Sequence, residues 1–402
     1  MPQQPAPPRH AAYNKKVALV LQGGGALGSY QAGVYEGLSG SEYLPDWVAG
    51  ISIGAINAAI IAGNPPEHRV ARLRAFWEKV TAPRPLWSAW LDAALPPTQR
   101  RQFGAASALM FGQVGFFGPQ PPAAWLDSAG PTSFYDTAAL KQTLESVVDF
   151  DRINAGETRL SVGAVNVRTG NFAYFDSAET RIGPEHIMAS GALPPGFPAV
   201  EIDGEAYWDG GLVSNTPLQY VIEKIPRRSR LCFQVDVFHA RGKLPATLSD
   251  VAEREKDIRY SSRTRAATNT ERQLHDVRHN INTLLEKLPP ALRGTPEALW
   301  LYNFGCVTTM DIVQLIYRPE DGQGHSKDYD FSRFTMEERW ARGLADITAT
   351  LAASPWLAPM PHDLGARTFD VLGEQRPSAT PAPATETARR KTPRRGRIQA
   401  DV

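Results

Sequence analysis

Twice near its start the chain runs from an apolar strand into a glycine-rich turn and then into a helix-like stretch. Residues 17–21 (VALVL) lead into Gly23-Gly24-Gly25-Ala26-Leu27-Gly28, and residues 32–38 then follow helical spacing. Residues 47–51 (WVAGI) lead into a second small-residue turn and the helix-like stretch 53–61. Strands that alternate with helical segments need crossover connections, so they lie parallel. The chain is therefore expected to be an α/β protein built on a parallel sheet.

At 402 residues, with 42% hydrophobic and 21% charged side chains, the chain can bury a large core without disulfides or a structural metal. Its 43 Lys and Arg balance 42 Asp and Glu, so composition gives no pull toward nucleic acid. Cys232 and Cys306 are too few and too far apart for a disulfide framework, a zinc knuckle or a redox pair. No stretch reaches the roughly 18 apolar residues of a spanning helix. The lead, residues 1–14, is Pro-rich and polar and is expected to be disordered, without a secretory signal. A reducing, cytoplasmic setting is expected, with contact at membrane or lipid surfaces left open.

Residues 81–131 change character, being rich in Pro, Gly and large apolar side chains such as Trp87, Trp90, Phe116 and Phe117. This stretch is too long and apolar for a plain connector and reads as a lid or as extra core. Regular structure resumes with a helix near 138–148. A hairpin follows, from strands at 160–167 and 172–175 turning at Arg168-Thr169-Gly170-Asn171. Further strands are expected at 231–238 and 311–317. Between them Leu274, Val277, Ile281, Leu284, Leu285 and Leu288 repeat with a period of 3.6, an amphipathic helix whose apolar face packs on the core or meets a partner or membrane. The tail, 374–402, is rich in Pro, Ala and Thr with a cluster of Arg and Lys, and is expected to be a disordered, solubilising segment, with contact to an anionic lipid surface or nucleic acid as the alternative.

The first glycine run can carry two kinds of chemistry. It fits G-x-G-x-x-G, whose glycines let backbone approach a pyrophosphate at a helix N-terminus. That fingerprint also asks for a carboxylate at the end of the second strand, and the chain has Ser52 there. The other use is an oxyanion hole, which needs the same free N–H groups and absent Cβ atoms. A third reading is a turn kept only for tight packing. The second turn, Gly50-Ile51-Ser52-Ile53-Gly54, is G-x-S-x-G at a strand-to-helix junction, the setting that thrusts a nucleophilic serine outward. No histidine after Ser52 sits in a motif-like setting. Asp209-Gly210-Gly211, at the end of strand-like 205–208, offers a carboxylate base instead, or else a mere turn.

Glycine loop, G-x-S-x-G elbow and D-G-G in this order resemble the patatin-like phospholipase family. The stretches that carry the likeness are LQGGGALGSYQAGVYEGL, GISIGAINAA and ASGALPPGFPAVEIDGEAYWDGGLVSNTPL, within residues 15–222. The resemblance implies a three-layer α/β/α hydrolase core, with 81–131 as an apolar insertion. A mostly helical C-terminal extension, 223–373, packs on it. It implies metal-free, cofactor-free hydrolysis of lipid acyl esters by a Ser52–Asp209 dyad. Gly23, Gly24, Gly25 and Ala26 would form the oxyanion hole, with Gly28, Gly50, Gly54, Gly210 and Gly211 as motif glycines. Relatives commonly place Arg or Lys after the glycine run, where this chain has Leu27. The expected partner is a lipid or other acyl ester. An acyltransferase or a non-catalytic lipid-binding relative are the alternatives.

Overall fold

A computed structural model of the chain describes residue 13 and residues 15–82, 95–126, 130–319, 324 and 326–374. The lead apart from Tyr13, the tail beyond 374, and Trp87 and Trp90 of the apolar insertion lie outside the described residues. Eleven strands are described: β1 (Lys16–Leu21), β2 (Trp47–Gly50), β3 (Gly118–Pro119), β4 (Tyr135–Asp136), β5 (Arg159–Asn166), β6 (Phe172–Asp176), β7 (Val200–Ile202), β8 (Glu205–Asp209), β9 (Arg230–Asp236), β10 (Met310–Ile316) and β11 (Ala366–Phe369). Strands β3 and β4 form a small ribbon, and the other nine form one sheet in the order β11-β10-β9-β1-β2-β5-β8-β7, with β6 also paired to β5. From β11 to β5 the strands are parallel, and β6, β7 and β8 add antiparallel pairs at the other side.

The central strand shows why the protein is layered. Val17, Leu19 and Leu21 of β1 join one apolar cluster, whereas Ala18 and Val20 join another on the opposite face. Successive side chains of a strand point to opposite faces, so a strand apolar at every position must be covered on both. Helices α1 (Gly28–Ser39), α2 (Ile53–Ala62) and α3 (Pro66–Val80) contribute to the first cluster, and helix Leu218–Glu223 to the second. The result is the three-layer α/β/α core with a helix-rich C-terminal part.

That C-terminal part is not only helical. Residues after 222 supply β9, which pairs with β1, and then β10 and β11. The amphipathic stretch 274–288 lies in a helix that begins much earlier, Leu248–Glu286. Its buried line runs through Glu271, His275, Arg278 and Leu285, while Val277 and Leu284 of the apolar stripe face solvent. The expected hairpin forms as β5 and β6, with Gly170 at φ 70° in the connecting turn.

Helix Arg333–Ala353 crosses α1 at two glycines, and there the backbones touch. A Cβ on Gly33 would stand 1.9 Å from the Trp340 carbonyl oxygen, and one on Gly343 would stand 2.1 Å from the Tyr30 carbonyl oxygen. Tyr30 Oη donates to Asp346 Oδ2 at 2.9 Å across the same contact. On a free helix, Gly→Ala stabilises by up to about 1 kcal/mol. Here the added methyl forces the helices apart, which costs about 1–3 kcal/mol. Gly33→Ala and Gly343→Ala should therefore each lower the thermal midpoint. A rise in either variant, measured by calorimetry, would contradict the backbone contact.

Candidate active site

Ser52 stands between β2 and α2 with φ 55° and ψ −124°, a conformation rarely held by residues with a side chain. The flanking glycines make that turn sterically feasible. A Cβ on Gly50 would lie 2.2 Å from the Gly54 carbonyl oxygen, and one on Gly54 would lie 2.3 Å from that of Leu21. The Ser52 N–H donates to Ser190 Oγ at 3.0 Å, and the Ser190 hydroxyl in turn donates to the Gly163 carbonyl at 2.7 Å. The Ser52 side chain does not cap α2, which leaves its hydroxyl free for another partner.

The candidate is Asp209, at the end of β8, which lines the same cavity as Ser52 and whose carboxyl the nearby Ser52 hydroxyl helps to hold down in pKa. Asp209 Oδ1 accepts the Gly211 N–H at 2.7 Å, and the Asp209 N–H donates to the Ala192 carbonyl at 3.0 Å. Asp209 is buried, and burial pushes its carboxyl up to about 6, against the Ser52 hydroxyl and the Gly211 N–H that hold it down. The two glycines that follow permit close approach. A Cβ on Gly210 would lie 2.6 Å from the Gly163 carbonyl oxygen, and one on Gly211 would lie 2.9 Å from Asn215 Oδ1.

The glycine loop divides into a pinned and a free part. Gly23, expected among the oxyanion donors, gives its N–H to the Asn215 carbonyl at 3.2 Å, and its own carbonyl accepts Asn215 Nδ2 at 3.0 Å. Its role is close approach instead, since a Cβ there would lie 2.4 Å from Asn215 Oδ1 and 3.1 Å from Ser52 Cβ. Among the described residues the N–H groups of Gly24, Gly25 and Ala26 have no acceptor. Gly25 takes φ 54° and opens one 3-10 turn, Gly25–Leu27, ahead of α1. Gly28 packs on α2, where a Cβ would lie 2.5 Å from Ile53 Cγ1.

Ser52, Asp209, Gly211, Asn215 and Gly23 to Gly25 line a cavity of about 170 Å³. Leu109, Phe116 and Phe117 reach it from the apolar insertion, and residues 193–197 from the run before β7. Phe238, Tyr260, Asp328, Tyr329 and Phe331 come from the C-terminal part. Among the described residues no histidine lines it, and none of their His, Cys, Asp and Glu form a cluster able to hold a metal ion. No described helix is long and apolar enough to cross a membrane. Sequence reasoning did not assign Ser190 or Asn215. Asn215 lies just past the D-G-G motif, and a buried amide six residues after a buried carboxylate was the available signal. For Asp328 to Phe331 no local signal exists.

The fold is a three-layer α/β/α core with a serine elbow at the end of a parallel strand. Residues 19–222 match the family model described as patatin-like phospholipase, and residues 258–363 match a second, described as patatin phospholipase. The first match spans half of the chain, so the chain belongs to the patatin-like phospholipase family. Solved structures with detectable similarity include VipD from Legionella pneumophila, at 15% identity and a TM-score of 0.31, covering 82% of this chain and 67% of that one. ExoU in complex with SpcU from Pseudomonas aeruginosa is 15% identical, at a TM-score of 0.29, over 83% of this chain and 52% of that one. Human GIVD cytosolic phospholipase A2 is 11% identical, at a TM-score of 0.36, over 84% and 60%. The chain thus spans between about half and two thirds of these proteins. No curated protein sequence matches it.

The raised Asp209 carboxyl makes a stability prediction with a definite sign. A folded value of about 6 against 3.8 means that the folded protein holds this proton more tightly than the unfolded chain. The stabilisation is complete below pH 3.8 and is lost as pH rises through about 6. At pH 8 the ionised group therefore costs the fold on the order of 2–3 kcal/mol. Asp209→Asn, which keeps an acceptor for the Gly211 N–H, should raise the denaturation midpoint at pH 8, with the gain shrinking toward pH 4. A variant less stable than wild type at pH 8 would show that the carboxylate is held favourably.

Proposed function

We propose that the protein is a serine lipid acyl hydrolase in which Ser52 is the nucleophile and Asp209 its base. The observation that carries this reading is that Ser52 and the buried Asp209 line one apolar cavity together with Gly24 and Gly25, whose backbone N–H groups are free among the described residues. A carboxylate near pKa 4 is a weak base, and burial brings Asp209 closer to the working pH. Family membership supports a lipid ester as substrate.

The chemistry follows from this placement. Ser52 Oγ attacks the ester carbonyl carbon as its proton passes to Asp209. The tetrahedral oxyanion takes hydrogen bonds from the N–H groups of Gly24, Gly25 and Ala26, at the positive end of α1. The C–O bond to the alcohol breaks, Asp209 returns the proton to the leaving oxygen, and the acyl group stays on Ser52. Water then attacks the acyl-serine, its proton goes to Asp209, and collapse frees the fatty acid while Ser52 regains its proton. Apolar walls from Phe116, Phe117 and Phe197 suit an acyl chain.

Intact-mass labelling with a fluorophosphonate tests the assignment. Wild type should gain one adduct, Ser52→Ala none, and Asp209→Asn should react at least about 100-fold more slowly. The wild-type rate should climb as pH rises through about 6, where Asp209 loses its proton. Turnover of an acyl ester by Ser52→Ala should fall below about a thousandth of wild type. Labelling that persists in Ser52→Ala would overturn the nucleophile, and a pH-independent rate in wild type would overturn the base.

A further inference from the structure

A collar of large apolar side chains adjoins the cavity and lies in solvent. Leu109, Met110 and Phe111, at the end of helix Pro97–Phe111, are 46%, 71% and 47% exposed. Trp125 and Phe134 stack with ring centroids 6.3 Å apart, both about half exposed, and Leu126 beside them is 88% exposed. Hydrogen bonds join the two groups. Tyr135 Oη donates to the Leu109 carbonyl at 2.7 Å, and the Phe134 N–H donates to the Pro195 carbonyl at 3.0 Å. Leu109, Tyr135 and Pro195 all line the cavity, so the collar is continuous with it. A cluster of large apolar side chains in water is unfavourable and marks a binding face.

The sequence of this region adds the second observation. Between Arg101 and Asp136 the only charged residue is Asp127. An anionic lipid surface is held by Lys and Arg, and this stretch has none. A tryptophan stacked at the edge of an apolar face suits the boundary between acyl chains and headgroups. A protein partner or a second copy seated on the collar would seal the route into the cavity, whereas a lipid surface would feed it.

We propose that this collar docks the protein on an uncharged or zwitterionic lipid surface, from which the acyl ester passes over Leu109 into the cavity. The inference rests on the reading of Ser52 as the nucleophile of an acyl hydrolase. It adds where the substrate comes from and which surface charge the protein selects. Attachment comes from apolar burial, so salt does not weaken it.

The test uses the full chain, phosphatidylcholine vesicles and the Met110→Lys/Trp125→Lys variant, neither residue being part of the cavity wall. Wild type should co-sediment with the vesicles equally at low salt and at about 0.5 M salt, where exposed charges are screened. The variant should bind at least about 10-fold more weakly and lose a similar factor on a long-chain ester carried in the vesicles. Its hydrolysis of a short-chain p-nitrophenyl ester in solution should stay within about twofold of wild type, and Met110→Leu/Trp125→Phe should retain vesicle binding. Undiminished vesicle binding by the lysine variant, or equal loss on both esters, would overturn the proposal. So would a wild-type dimer that the variant dissolves, seen by light scattering, because the occupant would then be a second copy. Salt-independent vesicle binding by a wild type inactive on both esters would support the docking face and remove the catalytic reading instead.

Discussion

The site depends on a carboxylate buried without a cation. Asp209 is 2% exposed, and the groups that ease its charge are two hydrogen-bond donors, the Ser52 hydroxyl and the Gly211 N–H. Removing an ion from water is costly unless it is paired, so a lone carboxylate takes a higher pKa. Compare Asp311, equally buried, which receives Lys15, Arg367 and the Tyr13 hydroxyl. The fold satisfies one carboxylate fully and leaves the other short of partners. The short one is beside the serine with the strained backbone. Two local penalties thus coincide at one place, the pattern expected where reactivity rather than stability is favoured.

The cavity wall opposite Asp209 comes from far along the chain, and a network of charges holds it there. The carbonyl oxygen of Asp328 stands where a Cβ on Gly25 would fall, 2.3 Å away, so the segment around 328 presses directly on the glycine loop. Lys327, itself buried, pairs with Asp257 at 2.5 Å and Glu253 at 3.4 Å on helix Leu248–Glu286. Lys256 on the same helix pairs with Asp328 at 2.7 Å. Arg339 of helix Arg333–Ala353, buried as well, donates to the carbonyls of Lys327 and Asp330. A buried ion pair adds little net stability, but it fixes geometry, since losing one partner strands the other. Here the geometry it fixes is that of Tyr329, Phe331 and the glycine loop that Asp328 presses on.

What the sequence discloses and what it hides follow from the range of the interaction. The Ser52 elbow was legible because its steric requirement is local. Gly50 and Gly54 clash with backbone only a few residues away or on the adjoining strand. Asp209 was legible for a similar reason, with Gly210 and Gly211 directly after it. Gly23 was misassigned as a donor because its N–H goes to Asn215, nearly two hundred residues on, and no local pattern reports that bond. The start of helix Leu248–Glu286 was missed because its first half buries polar rather than apolar groups. Asp257 meets Lys327 and Thr268 meets Gln234, so the 3.6-residue apolar period appears only later. The collar residues were visible as an apolar, Pro- and Gly-rich insertion. Whether such side chains fill a core or face water is decided by tertiary packing, and for Phe116 and Met110 the answers differ.

The glycine loop, the Ser52 elbow and the D-G-G motif end before residue 222, but the structure that holds them in place does not. Strand β1 delivers the glycine loop, and its two neighbours are β2 and β9. Without β9 the carbonyl and N–H groups of Lys16 to Leu21 would lie unpaired along one edge, and an apolar strand with an open edge invites association with other chains. Gln22, directly after β1, has its side-chain oxygen on the N–H groups of Val237 and Phe238, just past the end of β9. The strand that positions the glycine loop is thus held by residues outside the segment that carries the motifs. Phe238, Tyr260, Tyr329 and Phe331 also line the cavity that Asp209 borders. The part of the chain after 222 is therefore a structural half of the site: it completes the sheet that carries the glycine loop and supplies part of the apolar wall of the cavity.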